Sequence, residues 1–545
     1  MIKIGAQVLA ASLKQQGVNF AFGIVGFPIF EVALALQEVG IRYIGMRNEQ
    51  SAAYAAQATS YLTGRPQVAL VVSGPGVMHA LSGLSNAQNN KWPMLLIGGA
   101  SHTSRSGMGA FQEADQVFVA KSFCKYAKEI DSVKRIPYYI EQAIRTSWYG
   151  APGPVYLDLP TEIITGTIAE EDIMPMTTIP SPPVSQASAQ SIDQALELLK
   201  QAKRPLAILG KGLAWARAEE QTRKFIDLTG MPFVPLPMAK GVVPDNHPLC
   251  AISARSTALS GADVVFLLGA RFNWMVNFGI PPQFAKDVKV VQLDICPEEI
   301  STNVPTSVPL VGDAKAILDQ LNQKLMGHNT INPEWLAQLK EVSERNSKEI
   351  EAMLNDDTLP MNFYRAFREI RDKLPDNAIV INEGYHTMDV GRNVIQHNIP
   401  RSRLDAGTYG TMGIGLGYAI AAALSHPDRP VFAILGDSAF GFSGMELETV
   451  CRHNLAIKFI ILNNGGIGTG EQDLKGLSPL PPHALKQDAH YEQVMSAFGG
   501  LGLYAQSPDE LASQLQQAID YQGPALINVM INPHAGKKAP THSWA

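Results

Sequence analysis

Cysteine is scarce in this chain and poorly placed for two of its usual uses. Among 545 residues there are four, Cys124, Cys250, Cys296 and Cys451, with no two at metal-type spacing. That excludes a zinc knuckle or a disulfide-stapled scaffold and leaves small buried thiols in a reducing compartment. A charge excess is also missing. Charged residues make up 17% and the formal net charge is -6, so nothing draws the whole chain toward nucleic acid or an anionic membrane. No apolar stretch is long enough to span a bilayer. The opening Met1-Ile2-Lys3-Ile4-Gly5 lacks a leader-type cleavage site, and the closing Ser543-Trp544-Ala545 is not a peroxisomal address. These absences lead to the expectation of a cytoplasmic protein without nucleic-acid or membrane partners. There is no Walker-type phosphate loop. Gly413-Ile414-Gly415-Leu416-Gly417 lacks the full dinucleotide-loop spacing and a following ribose acid, so it reads as a place of close helix packing.

Hydrophobic residues make up 46%, enough for large cores, and the length implies two to four domains. Three blocks alternate helical patterns with short apolar runs, which predicts doubly wound parallel sheets in an α/β fold. The first covers 1–165, with strands expected at Ala21–Gly23, Tyr43–Ile44, Val68–Val72, Met94–Ile97 and Val155–Leu157. A Pro- and Ser-rich connector follows. The second covers 191–325, with strands expected at Pro205–Leu209, Val264–Leu268 and Val290–Leu293. A charged helical linker spans 326–358. The third covers 360–530, and the tail, 531–545, has little apolar periodicity.

The third block holds the most informative stretch. The run Val431–Leu435 stops at Gly436-Asp437-Ser438, a helical segment follows, and the run Ile457–Leu462 stops at Asn463-Asn464-Gly465-Gly466. Asp437 and Asn464 are 27 positions apart, room for one strand–helix–strand crossover. Parallel sheets bind ligands outside the carboxyl ends of their strands. An acid, an amide and a backbone carbonyl suit Mg²⁺, which completes its octahedron with phosphate and water oxygens.

The Gly-Asp…Asn-Asn pattern resembles the diphosphate anchor of thiamine-diphosphate enzymes. Within that superfamily the chain is most similar to 2-hydroxyacyl-CoA lyases, with oxalyl-CoA decarboxylases close behind. The likeness is carried by Arg47-Asn48-Glu49-Gln50, Gly109–Glu113, Pro237-Met238-Ala239-Lys240-Gly241, Gly269–Trp274, Arg403–Thr408, Gly436–Glu446 and His490–Met495. It implies three doubly wound domains: pyrimidine-binding, middle and diphosphate-binding. It also implies thiamine diphosphate with Mg²⁺ held by Asp437, Asn464 and the Gly466 carbonyl, and cofactor contacts from Ile24, Tyr385, His386, Met412, Gly436, Ser438 and Ile467. Glu49 would engage the aminopyrimidine of the cofactor, and Met412 would support the bend between its rings. The family takes this Glu from a neighbouring subunit, so self-association is implied, a dimer at minimum and a tetramer by preference.

The implied reaction is cleavage of a 2-hydroxyacyl-CoA to formyl-CoA and a shortened aldehyde or ketone, with the reverse condensation. Ile24, Phe111 and Gln112 match positions near the acyl group. Gln112 and His386 are candidate catalytic groups beside Glu49. Arg255, Arg392, Asn393, Arg403 and Ser543 are candidates for the acyl-CoA substrate, with Lys537, Lys538 and Trp544 in a tail that would close over it. Arg145, Gly210, Lys211, Gly212, Arg271 and Asp294 match an ADP-like site in the middle block. His79 is open between a structural and a catalytic role. The chain departs from its relatives in two places: Tyr385-His386 replaces their Ala-Asn, and Gly468 replaces a Tyr, which is expected to loosen the substrate-binding pocket. Oxalyl-CoA decarboxylase, an acetolactate-type carboligase and a non-catalytic nucleotide-binding scaffold stand as alternatives.

Overall fold

Short strands that are buried from end to end organise the chain, as expected where both faces of a parallel sheet are covered. The computed structural model describes residues 1–325, 332–471 and 473–536, and the chain divides into two units. Ser543, Lys537, Lys538 and Trp544 lie outside the described residues.

The first unit comprises Met1–Pro183, Tyr409–Asp428 and Phe440–Ile457. Its six-stranded sheet runs in the order Arg42–Gly45, Phe20–Gly23, Val68–Val71, Met94–Ala100, Pro154–Pro160, Ala127–Glu129, and all pairings are parallel. The Ala-rich helix Glu49–Thr63 starts at Asn48, whose side chain accepts the Gln50 N–H, and stops at Gly64 in a left-handed conformation, which glycine adopts without steric cost. Small residues let its neighbours come close. A Cβ on Gly83 of the Pro75–Asn90 helix would lie 2.2 Å from Ala53, and one on Gly417 of the Gly415–Ser425 helix 2.8 Å from the Ser51 carbonyl. The Gly413–Gly417 run thus serves helix packing, as expected. Ile2–Ile4 pairs antiparallel with Thr167–Ala169, a small sheet outside the predicted pattern.

The second unit holds two parallel sheets. One has the order Phe233–Pro235, Pro205–Leu209, Val264–Leu268, Lys289–Asp294, Val308–Val311. The other runs Arg403–Asp405, Ile379–Glu383, Val431–Gly436, Lys458–Asn463, Ala525–Met530, Leu501–Ala505. The strongly amphipathic helix Phe363–Lys373 covers this last sheet, burying Phe363, Phe367 and Ile370 against Val380, Ile434 and Ile460. The helical linker is present over Pro333–Leu354. Among the described residues no helix is long and apolar enough to cross a membrane.

Candidate active site

Three neighbouring strands of the last sheet, Ile379–Glu383, Val431–Gly436 and Lys458–Asn463, end side by side. Their carboxyl ends carry Gly384-Tyr385-His386, Gly436-Asp437-Ser438 and Asn464-Gly465-Gly466. Gly384 has φ +110°, and a Cβ there would meet the Gly436 backbone at 3.2 Å, so the two strand ends are in contact. The Asp437 carboxylate is 2% exposed. It accepts the N–H of Ser438 at 2.7 Å and of Gly465 at 2.9 Å, joining two strand ends. Burial pushes its pKa up to about 6 against the opposing pull of these backbone donors, because desolvation penalises the charged form. Asn464 donates its amide to the Gly468 carbonyl at 2.9 Å, which leaves its side-chain oxygen available as a donor atom. Ile467 donates its N–H to the His483 carbonyl at 2.8 Å and exposes its side chain. Gly466 bridges to Ala484.

This donor set fits a divalent ion shared with a phosphate ligand. Among the described residues no cluster of three or more His, Cys, Asp or Glu could hold a metal by itself. One buried carboxylate with neutral oxygens around it matches Mg²⁺, which takes few protein ligands beside substrate phosphates. Tyr385 is exposed, whereas His386 is buried and stacks on Phe363 at 5.1 Å. Gly468 has φ +79° with open space around it. Gly468 acts through its backbone, whose carbonyl holds the Asn464 amide.

In the first unit, Glu49 opens its helix at the end of the Arg42–Gly45 strand, and its carboxylate lies 3.2 Å from His79 Nδ1. His79 sits on the first turns of the Pro75–Asn90 helix, against the Glu49 carboxylate. Sequence reasoning missed Glu446. Its buried carboxylate accepts the Arg47 N–H at 3.0 Å and the Thr449 hydroxyl at 2.8 Å, and burial raises its pKa to about 7. It therefore grips the backbone just ahead of Glu49, and its place in the quoted Gly436–Glu446 motif was the available signal.

Gln112, at φ +55°, accepts from Ser73 at 3.3 Å. Phe111 is exposed and meets Phe27 edge-on at 6.1 Å. Ile24 lies just beyond the end of its strand, partly buried. Gln116, also missed, anchors this loop: its amide donates to the Gly99 carbonyl at 3.0 Å and reaches Asp158, while its oxygen accepts the Gly74 N–H. Met412 is partly buried beside Gly413, where an added Cβ would touch Phe442.

A cavity of about 330 Å³ opens in the second unit, lined by Arg255, Trp274, Arg345, Asp389, Arg392 and Asn393 among others. Three of the residues assigned to acyl-CoA by resemblance are thus brought together. Burial and the nearby Arg392 bring Arg255 down to about 10. Arg392 pairs with Asp389 at 3.0 Å, but its Nε and Nη2 are buried with no hydrogen-bond partner among the described residues. Three guanidiniums, those of Arg255, Arg345 and Arg392, around the Asp389 carboxylate leave the cavity poised for an anion. Arg403 does not join them, which corrects its expected role. It is fully buried, paired with Asp405 at 3.3 Å and donating to Asn382 at 2.6 Å, so it works inside the sheet.

In the middle sheet, Gly210-Lys211-Gly212, Arg271 and Asp294 cluster at adjacent strand ends. The glycines pack on Gly269, where a Cβ on Gly210 would lie 2.0 Å from its carbonyl oxygen. Arg271 pairs with Glu299 at 3.1 Å and Asp294 accepts the Cys296 N–H at 2.9 Å. Arg145 belongs to the Ile136–Trp148 helix of the first unit.

Comparison with known proteins places the chain in a family. Residues 3–119 match the N-terminal TPP binding domain of thiamine pyrophosphate enzymes, 192–321 their central domain and 383–529 their C-terminal TPP binding domain. The chain belongs to the thiamine pyrophosphate enzymes, in the branch that holds 2-hydroxyacyl-CoA lyases and oxalyl-CoA decarboxylase. It is 46% identical to 2-hydroxyacyl-CoA lyase 1 of Homo sapiens, covering 99% of this chain and 96% of that protein. It is 40% identical to 2-hydroxyacyl-CoA lyase of Arabidopsis thaliana and 42% identical to oxalyl-CoA decarboxylase of Escherichia coli strain K12, each with 98% of this chain and 96% of the relative covered.

Proposed function

We propose that this protein is a thiamine-diphosphate-dependent lyase that cleaves 2-hydroxyacyl-CoA to formyl-CoA and a shortened aldehyde or ketone, and also runs the reverse condensation. The observation that carries the substrate class is the cavity with Arg255 and the unpartnered nitrogens of Arg392, a match for the phosphates of CoA, with Trp274 and Asn393 beside them. When bound, thiamine diphosphate supplies the electron sink for breaking a carbon–carbon bond next to the thioester carbonyl. Asp437, Asn464 and the Gly466 carbonyl would hold Mg²⁺ and through it the diphosphate, with Gly436, Ser438, Ile467 and Tyr385 as further cofactor contacts. Glu49 moves a proton at the aminopyrimidine, with His79 against its carboxylate and Glu446 fixing the backbone that presents it. Gln112, Phe111 and Ile24 face the acyl group; an apolar ring and an amide suit a neutral hydroxyalkyl chain better than an oxalyl carboxylate. His386, buried against Phe363, would help to orient the groups at this strand end.

The same reading divides the chain into a pyrimidine-binding domain over 1–165, a middle domain over 191–325 and a diphosphate-binding domain over 360–530. It includes self-association, a dimer at least, and a cytoplasmic location. ADP in the middle domain is a secondary part of it, supported by Lys211, Arg271 and Asp294 at adjacent strand ends. The test is a product assay over 2-hydroxyacyl-CoA thioesters and oxalyl-CoA with thiamine diphosphate and Mg²⁺. Aldehyde or ketone with formyl-CoA is expected. CO₂ from oxalyl-CoA alone would assign the decarboxylase activity instead.

A further inference from the structure

The Pro237–Gly241 motif carries part of the family likeness, yet none of its residues has a part in the chemistry above. Its lysine is placed unusually. Lys240 is 4% exposed and its ammonium pairs with Asp245, 2% exposed, at 3.0 Å. Taking both charges out of water costs several kcal/mol per ion before pairing, and apolar residues of similar volume would fill the space at no such cost. The ammonium also donates to the Arg392 carbonyl at 2.6 Å and the Ile395 carbonyl at 3.1 Å. These carbonyls lie at the C-terminal end of the Tyr385–Val394 helix, where the helix leaves acceptors unpaired and a cation is favoured. Asp245 extends the grip: its carboxylate accepts the His397 N–H at 2.8 Å, and its own N–H donates to the His397 carbonyl at 3.1 Å. Gly241, at φ +84°, lets the two segments touch, since a Cβ there would fall 2.1 Å from the Ile399 carbonyl oxygen.

The clasped helix links the strand-end site to the cavity. It begins at Tyr385, next to the Asp437 strand end, and its last turn carries Arg392, with Asn393, into the cavity. At ten residues it spans about 15 Å. We propose that the buried Lys240–Asp245 pair is a positioning device for the substrate: it fixes the C-terminal end of this helix so that Arg392 and Asn393 meet Arg255 at the spacing CoA phosphates require. The proposal rests on the reading that the cavity takes CoA. Lys240 also lines the cavity, but its ammonium is engaged by Asp245 and the two helix-end carbonyls, so its effect belongs to the nucleotide end of the thioester.

The experiment compares KM and kcat for a 2-hydroxyacyl-CoA and for the same acyl group on pantetheine, which lacks the phosphates. It uses the full-length holoenzyme and the variants Lys240→Met, Asp245→Asn and Arg392→Ala. Losing a charge-assisted contact is expected to raise KM for the CoA thioester about tenfold or more. In Lys240→Met and Asp245→Asn the kcat and the KM for the pantetheine thioester stay within about threefold, and their rise in CoA KM matches that of Arg392→Ala. An unchanged KM in Lys240→Met, or an equal rise for both thioesters, overturns the proposal. An unchanged CoA KM in Arg392→Ala overturns the CoA reading of the cavity instead. If Lys240→Met does not fold, Asp245→Asn carries the same comparison at similar volume, and failure of both to fold assigns the pair to stability alone.

Discussion

Gly465 donates its backbone N–H to the Asp437 carboxylate at 2.9 Å, tying the end of one strand to the end of the next. The carboxylate is buried without a counter-cation among the described residues and its pKa is raised to about 6 from 3.8. The sign follows from linkage. Between about pH 4 and 6 the unfolded chain gives up this proton while the folded chain keeps it, so rising pH removes stability until ionisation is complete above about 6. A bound divalent ion reverses the penalty, because it requires the charged form. Asp437→Asn is therefore expected to raise the Tm of the cofactor-free protein at pH 7.5, with an upper bound of about 3 kcal/mol from the shift, and to abolish the Tm increase on adding Mg²⁺ and thiamine diphosphate. Thermal scans with and without both ligands check it. In the unaltered protein Mg²⁺ binding should weaken as pH falls below about 6.

Glu49 stands at the first position of its helix, held from behind by Glu446 and flanked by His79. Neutralising it keeps the shape of the side chain and removes the charge. Glu49→Gln is expected to leave stability within about 0.5 kcal/mol and to slow exchange of the cofactor C2 proton by about 100-fold or more, in the range of general acid–base effects. Exchange measured by NMR on quenched samples is the check. A rate equal to that of the unaltered protein would remove Glu49 from the mechanism.

The parts of the site that were legible in the sequence share one property: local pattern decided them. Buried runs ending in Gly-Asp or Asn-Asn mark strand ends, and an Ala-rich stretch after Arg-Asn-Glu marks a buried helix. Short edge strands escaped. Ala127–Glu129, Phe233–Pro235 and Val308–Val311 all lie at sheet edges, where pairing on one side needs no long apolar run. The family resemblance offers Arg403 as a candidate for the acyl-CoA substrate, and an isolated Arg carries no sign of burial. Its partner Asp405 is two positions on, the same-face spacing of a strand, and that pairing decides its role. Glu446 was missed for another reason: it meets Arg47 across 399 positions of sequence, a contact no window of local pattern contains.

Gly468 reverses the weight given to a missing side chain. Its carbonyl accepts the Asn464 amide at 2.9 Å while its own φ is +79°, a conformation costly for any residue with a Cβ. Gly468→Ala meets no steric obstacle, since the space is open, so strain alone acts. A loss of about 1–2 kcal/mol is expected, with the Asn464 side chain shifted and Mg²⁺ affinity lowered about tenfold, as its proposed ligand role requires. Titration of cofactor-loaded activity against Mg²⁺ reads the second effect. Asn464→Ala should weaken Mg²⁺ binding at least as far while leaving the Gly468 backbone unstrained.

Arg255 and Arg392 raise each other's electrostatic cost, and Asp389 offsets only one of the two charges. Without an anion the cavity is therefore under repulsion, and removing one guanidinium relieves it. Arg255→Met is expected to keep or slightly raise the Tm of the ligand-free protein while raising KM for a CoA thioester about tenfold or more, the size of a lost hydrogen bond to a charged group. Free CoA, added alone, should raise the Tm of the unaltered protein and have little effect on the variant. Raising salt from 50 to 300 mM should weaken CoA binding in the unaltered protein more than in the variant, because screening acts on the part of the cavity that opens to solvent. Equal Tm responses to CoA in both proteins would show that the anion is held elsewhere.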